Sequence, residues 1–247
     1  NAGNIIGCGN NADVSGSSGV GGVVGYVGGA STVSGCYNSG NVSGTTGYIG
    51  GVSGQHWRAG KLENCYNTGK VSGPASVGGV AGGHKAASPE LVNCYNAGTV
   101  EDSAGYQNNI GALIGATRGT AENCYYLSTS PFAATGNKGD VDGAAKVDSV
   151  TETMLGSAFI KDEEGINGGN PVLSWQGKTP DIIIASYSQL KAFADSVNDG
   201  NSYEGKLIRL NVNIELGGAN NPWTPIGSSS SAFAGTFDGN NHVISGL

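Results

Sequence analysis

Short apolar runs separated by glycine, asparagine and serine recur through the first half of the chain. Examples are Val20-Gly21-Gly22-Val23-Val24-Gly25 and Ile49-Gly50-Gly51-Val52-Ser53-Gly54. Such runs are too brief and too glycine-rich for helices and read as short strands joined at polar corners. The pattern changes after residue 126. Thr151 to Phe159 reads as a short helix, and Ile182, Ile183 and Ile184 as a short buried strand. Ser186 and Gln189 stand at capping-box spacing, before a helical apolar face of Leu190, Phe193, Ala194 and Val197 that ends near Gly200. Leu210, Val212, Ile214 and Leu216 alternate as one strand, while Trp223, Phe233 and Phe237 supply bulk that the thin earlier segments lack.

The early runs share one period. Cys8, Cys36, Cys65, Cys94 and Cys124 are separated by 28, 29, 29 and 30 residues. Three of them open the triplet Cys-Tyr-Asn, at 36–38, 65–67 and 94–96. Similar tails follow at 11–16, 39–44, 68–73 and 97–102, and GGVxG-like modules precede in phase at 20–25, 49–54, 77–82 and 110–115. Two motifs holding one period define a repeat architecture. With about 3.3 Å per strand residue, one repeat makes a coil of three short strands and their corners, stacked about 4.8 Å from the next. A β-propeller blade needs about 40–50 residues and its own signatures. The expected fold is therefore all-β, a parallel β-solenoid with rungs of about 29 residues and a short capping helix region. Three regions are expected: rungs over 1–126, a cap of that array over 127–180, and the opening of a second array over 181–247.

Composition narrows the class. Forty-five glycines in 247 residues exceed ordinary usage, yet follow no collagen triplet. Only 13% of residues are charged, so Asn, Ser, Thr and Gly carry the surface. The net charge is −7; residues 1–125 hold six acids against five bases, leaving the remainder at −6. An acidic chain without a basic stripe argues against nucleic acid. No apolar run approaches the roughly 20 residues that cross a bilayer. The chain has neither an initiating methionine nor a signal-type segment and opens in mid-pattern, as expected of a segment of a longer protein.

The GGVVG, GGVSG and GGVAG modules, alternating with NCYNxG-V-SG, resemble the GLUG-type repeats of bacterial surface proteins, which also flank some immunoglobulin-A-specific metallopeptidase domains. YYLSTSPF at 125–132 and INGGNPVLSWQ at 166–176 resemble the closing end of one array, and residues 186–247 the opening of the next. The resemblance implies a right-handed β-helix outside a bacterial cell. Asn213 and Glu215 depart from the aspartates usual before the tryptophan segment, which removes any metal role borrowed from the family.

Each cysteine stands alone in its rung, without C-x-x-C spacing. In-register neighbours lie about 4.8 Å apart, beyond the roughly 3.5–4.5 Å a disulfide wants between β-carbons. Cys8, Cys36, Cys65, Cys94 and Cys124 therefore read as a buried structural ladder, with the following Tyr an outward ring and the Asn a turn-forming amide. One corner after each GGVxG module gathers Tyr26, His56, Trp57, Arg58, His84, Lys85 and Arg118, an aromatic and cationic stripe suited to an acidic glycan or protein loop. Catalytic residues, cofactor and metal are all expected to be absent: the six acids of the rungs do not repeat at the period, and no HExxH, GxSxG or P-loop occurs. Asp238-Gly239-Asn240-Asn241 reads as a turn rather than a calcium loop. The expected function is a non-catalytic surface scaffold or adhesin segment binding glycan or host protein. The alternatives are head-to-tail self-association through complementary chain ends, and a polysaccharide lyase or hydrolase on a β-helix.

Overall fold

A computed structural model describes all residues except 1–2, 57–59, 85–88, 107, 118–119, 178–179, 219–221, 241 and 247, with backbone alone for His84, Pro89 and Glu90. The chain divides into two compact units, residues 1–177 and 178–247.

The first unit is a parallel β-solenoid. Each coil carries five short strands rather than the three expected. In one coil they are Lys61–Glu63, Tyr66–Asn67, Val71–Gly73, Val77–Gly78 and Ala81–His84. Corresponding strands stack into five parallel sheets of five, six, four, four and four strands. The rungs lie in register: Leu62 sits between Val33 and Leu91, and Val71 between Val42 and Val100. Glycine makes the extra corners affordable in so short a coil, because two-residue strands can turn at once.

Two apolar clusters fill the interior. One joins Val33, Leu62 and Leu91 with the cysteines, Val52 and Val80; the other joins Val42, Val71, Ile49 and Val77. Beside them runs a column of amides. Asn10 Nδ2 donates to Asn38 Oδ1 at 2.7 Å, Asn38 to Asn67 at 2.8 Å, and Asn67 to Asn96 at 2.8 Å. The second hydrogen of each amide closes a local turn, onto Gly40 O from Asn38 and onto Gly69 O from Asn67. The buried side chains of Asn38, Asn67 and Asn96 are thus satisfied. The second glycine of each GGVxG module gives the column its room. A β-carbon on Gly51 would collide with Gly79 O and the Asn67 amide, and one on Gly79 with the Asn96 amide. In the last coil both partners of this pair change together, to Ala112 and Tyr126.

A second amide column was not foreseen in the sequence. Gly7, Gly35, Asn64, Asn93 and Asn123, each preceding a cysteine, all have positive φ. Asparagine tolerates that conformation better than other residues with a side chain. It also links rungs here: Asn93 Nδ2 donates to Asn64 Oδ1 at 3.1 Å, and Asn123 Nδ2 to Asn93 Oδ1 at 2.8 Å.

In the second unit, Ile182–Ile184, Leu207–Leu210 and Thr236–Asp238 form a parallel sheet, and Ile214–Glu215 pairs in parallel with Ile244–Ser245. Helix α2 (Tyr187–Asn198) lies between the first two strands in sequence. Its cap forms as the sequence indicates: Gln189 N donates to Ser186 Oγ at 3.2 Å, and Ala185 N to Gln189 Oε1 at 2.7 Å. Leu190, Phe193, Ala194 and Val197 are its buried face. The strand expected through 210–216 breaks at a corner around Val212, which is only half-buried. Ile184 is buried but Ile183 is exposed, so Ile182–Ile184 has one inward face rather than two. Asp238 makes a turn, accepting from Asn240 N at 2.9 Å and pairing with Arg209 Nε at 2.8 Å.

Substituting Asn67→Ala leaves an Asn38 donor and the Asn96 oxygen without their rung partner. It should lower stability by about 2–3 kcal/mol in urea unfolding. Gly51→Ala, which adds a single methyl group, should cost at least as much because the backbone of the next rung blocks it.

Candidate functional site

Each residue singled out in the sequence has a definite place. All five cysteines are free; Cys36, Cys65, Cys94 and Cys124 are buried and Cys8 is exposed. The buried thiols donate to backbone carbonyls two residues back, as Cys65 does to Glu63 O at 3.2 Å and Cys94 to Val92 O at 3.3 Å. Burial pushes the Cys65, Cys94 and Cys124 thiols well above their ordinary range. At these three positions thiol chemistry is suppressed, whereas at Cys36 hydrogen bonding with Cys65 and Cys8 outweighs burial and lowers the pKa of the thiol.

Of the corner residues, Tyr26 and His56 do not share a face. Tyr26 is aligned with Gln55, Gly83 and Ala116, whereas His56 is aligned with Val27 and with the backbone of His84. Successive strand residues face opposite ways. Tyr26 is accordingly 58% exposed, while His56 is fully buried and faces inward with Val27. This corrects the placing of His56 on the outer edge. The side chain of His84 and all of Trp57, Arg58, Lys85 and Arg118 lie outside the described residues. Among the described residues, no three His, Cys, Asp or Glu side chains converge in a way that could hold a metal ion.

The feature that sequence reasoning missed is on the flank. Tyr37, Tyr66 and Tyr95 do point outward, but they stack face to face, with centroids 5.3 and 5.0 Å apart. Tyr66 and Tyr95 are then covered completely. The cover is the segment expected to cap the end of the array. Its first part does extend the end, since Ala144–Val147 pairs in parallel with Cys124–Leu127. Residues 150–176 instead fold back along the flank as a strap. Helix α1 (Glu152–Leu155) and an antiparallel pair, Phe159–Ile160 with Val172–Leu173, bring Val150, Leu155, Phe159 and Leu173 onto the tyrosines.

Polar contacts fasten this strap rung by rung. Trp175 Nε1 donates to Gly35 O at 3.1 Å and its ring packs on Tyr37. Gln176 Nε2 donates to Tyr66 Oη at 2.9 Å. Tyr95 Oη donates to Pro171 O and accepts from Asn167 Nδ2 at 2.8 Å. Burial raises both buried phenols above their usual range. The Asp162 carboxylate shapes the loop that carries Asn167, accepting from the backbone N–H of Ile166, Asn167 and Gly169 at 2.8–3.0 Å. Burial works against the charged form of Asp162, but these donors outweigh it and hold its pKa below the usual carboxylate range. A sequence signal existed: Phe159, Leu173 and Trp175 are large apolar residues in a chain otherwise poor in them, and needed a surface to cover.

The site geometry and the fold together define a repeat solenoid with a closed interior and a strapped flank. Residues 45–72 match the GLUG motif, and their neighbouring coils repeat it. The first unit is thus a β-solenoid that carries the GLUG motif in one of its repeats. It is similar in structure to a protein of Bacteroides ovatus provisionally described as an immunoglobulin A1 protease, with a TM-score of 0.52 at 21% identity over 70% of this chain. The chain spans 57% of that protein's length. No curated protein sequence matches it.

Two outcomes test this arrangement. Of the five thiols, only Cys8 should react with a thiol reagent in the native protein, the other four appearing on unfolding; more than one fast thiol contradicts the buried ladder. Because the folded pKa of Asp162 lies below its unfolded value, its contribution is present above that unfolded value, about 3.9. It is lost as pH falls through the folded pKa. Proteolysis within 150–176 should accelerate under those acidic conditions, and Asp162→Asn should show the faster cleavage already at neutral pH.

Proposed function

We propose that this chain is a non-catalytic scaffold segment of a bacterial cell-surface or secreted protein, which presents a corner surface to glycan or host protein. The observation that carries the reading is how its polar groups are used. Three carboxylates of the solenoid are engaged in holding the fold. Glu63 pairs with Lys61 at 2.8 Å, and Glu101 with Lys70 at 2.7 Å. Asp140 accepts from Tyr126 Oη and Ala134 N. The interior is filled by ladders, and the flank by the strap. What varies from coil to coil is the corner that follows the GGVxG strand, where Tyr26 is exposed and where Trp57, Arg58, Lys85 and Arg118 occur in sequence.

A rigid rod with variable residues at one corner separates the framework from the recognising groups, as in other solenoids. Aromatic and cationic side chains there suit stacking on sugar faces and charge-assisted bonds to acidic groups. The neighbour's description as an immunoglobulin A1 protease accords with a scaffold of this type standing beside a catalytic region in a longer protein.

A panel of acidic and neutral glycans and host glycoproteins, screened against the native protein, tests the reading. Replacing Trp57 and Arg58 together by Ala should abolish any binding found while leaving the thermal transition unchanged. Binding that survives the double substitution removes this corner as the site, and turnover of any glycan or protein in the screen overturns the non-catalytic assignment.

A further inference from the structure

Four of the five sheets meet further backbone at the end of the array where Cys124 lies, and one does not. Ala112 N donates to Ala133 O at 2.8 Å, and Leu113 and Ile114 N both donate to Ala134 O, so residues 133–136 lie over the strands at 110–116. Gly143 sits against Ala121 O, and its carbonyl accepts from Cys124 N at 2.8 Å, which covers Thr120–Glu122. Ala144–Val147 covers Cys124–Leu127. The remaining sheet, formed by the tails of the repeat, stops at Val100–Asp102, which among the described residues pairs only with Val71–Gly73 below.

In each coil beneath, one backbone N–H of the tail reaches to the next tail. Val14 N donates to Asn41 O, Val42 N to Lys70 O and Val71 N to Thr99 O, all at 2.8 Å. Val100 holds the same place, and among the described residues no following tail offers its N–H a carbonyl. Above this edge is a groove of about 210 Å³, with Asn96 to Glu101 as its floor and Leu127, Thr129, Ser130 and Pro131 as its far wall. That volume takes two or three residues of extended chain, the rest of a ligand running out over the edge.

We propose that this groove is a strand-acceptor site for an extended peptide that pairs in parallel with Val100–Asp102. The molecule itself specifies the peptide, because the same docking occurs three times below. Each tail sets a glycine directly on the carbonyl beneath it: Gly40 on Ala12 O, Gly69 on Gly40 O and Gly98 on Gly69 O, where any β-carbon would collide. The ligand must therefore carry glycine over Gly98, followed two residues later by the residue whose preceding carbonyl takes the Val100 N–H. Main-chain bonds supply the affinity in this mode, and the glycine supplies selectivity. The chain's own first tail has Ala12 at the glycine position and does not meet this requirement. The partner is accordingly a Gly-x-Val segment of tail type from another chain, and not the Ala12 tail of a second copy.

The test uses the whole chain and a capped peptide of sequence TGKVSG, that of residues 68–73. Titration followed by amide chemical shifts should show saturable binding, with the Val100 amide among the resonances that move. The peptide TAKVSG should bind at least about tenfold more weakly, since its methyl group meets a carbonyl that cannot retreat. Thr129→Trp fills the groove from an exposed position and should abolish binding with no change in the thermal transition. Absence of saturable binding overturns the proposal. So does equal binding of the glycine and alanine peptides, or binding unchanged by Thr129→Trp. Concentration-dependent association of the protein alone that Thr129→Trp prevents would assign the groove to a second copy, and would overturn the choice of partner made here.

Discussion

Everything in the first unit depends on one constraint: adjacent coils lie a single strand spacing apart, about 4.8 Å, so each side chain must be compatible with its own likeness directly above and below. Only some groups satisfy this in a buried column. Aliphatic chains pack on themselves, thiols do so without demanding a partner, tyrosine rings stack, and a primary amide both donates and accepts along the column. Charges repel, and among the described residues none forms such a column in the interior. The Asn10–Asn38–Asn67–Asn96 ladder is the most restrictive case. Its amides fit only because glycines face them, which explains why the Cys-Tyr-Asn and GGVxG motifs keep the same period although they stand on different sheets.

The strap follows from the same constraint. In each Cys-Tyr-Asn coil the tyrosine faces outward, so the rings stack on the flank and leave a continuous aromatic surface. Residues 150–176 cover it and fasten to successive coils through Gly35, Tyr66 and Tyr95. In an unstrapped solenoid each coil contacts only its neighbours, and stability is a sum of local terms. Here a single segment touches several coils at once, which couples their opening.

The sequence made some of this legible and concealed the rest. The period, the cap and the buried face of α2 are local or repeated signals that appear in the structure, and the cysteine column is buried from Cys36 to Cys124 but exposed at Cys8. The number of strands per coil was not legible, because two-residue strands separated by single glycines look like one run. His56 was misplaced for a related reason: a shift of one residue along a strand exchanges its faces, and Tyr26 and His56 prove to be on opposite sides. The burial of the tyrosines was hidden because it depends on contacts more than 70 residues away, such as Tyr95 with Asn167. The groove beside Val100 was equally invisible, since it exists only where the cap fails to continue one sheet.

The central claim is that internal ladders and the strap make these coils one cooperative body, a framework on which recognition is arranged. Native-state hydrogen exchange tests it most directly, through the inter-coil amides of Tyr37, Tyr66, Tyr95 and Tyr125, each of which donates to the cysteine carbonyl of a neighbouring coil. The account predicts that these four amides share one opening free energy and that cleavage of the strap separates their values. Values graded from coil to coil in the intact protein, unchanged by cutting the strap, would contradict it.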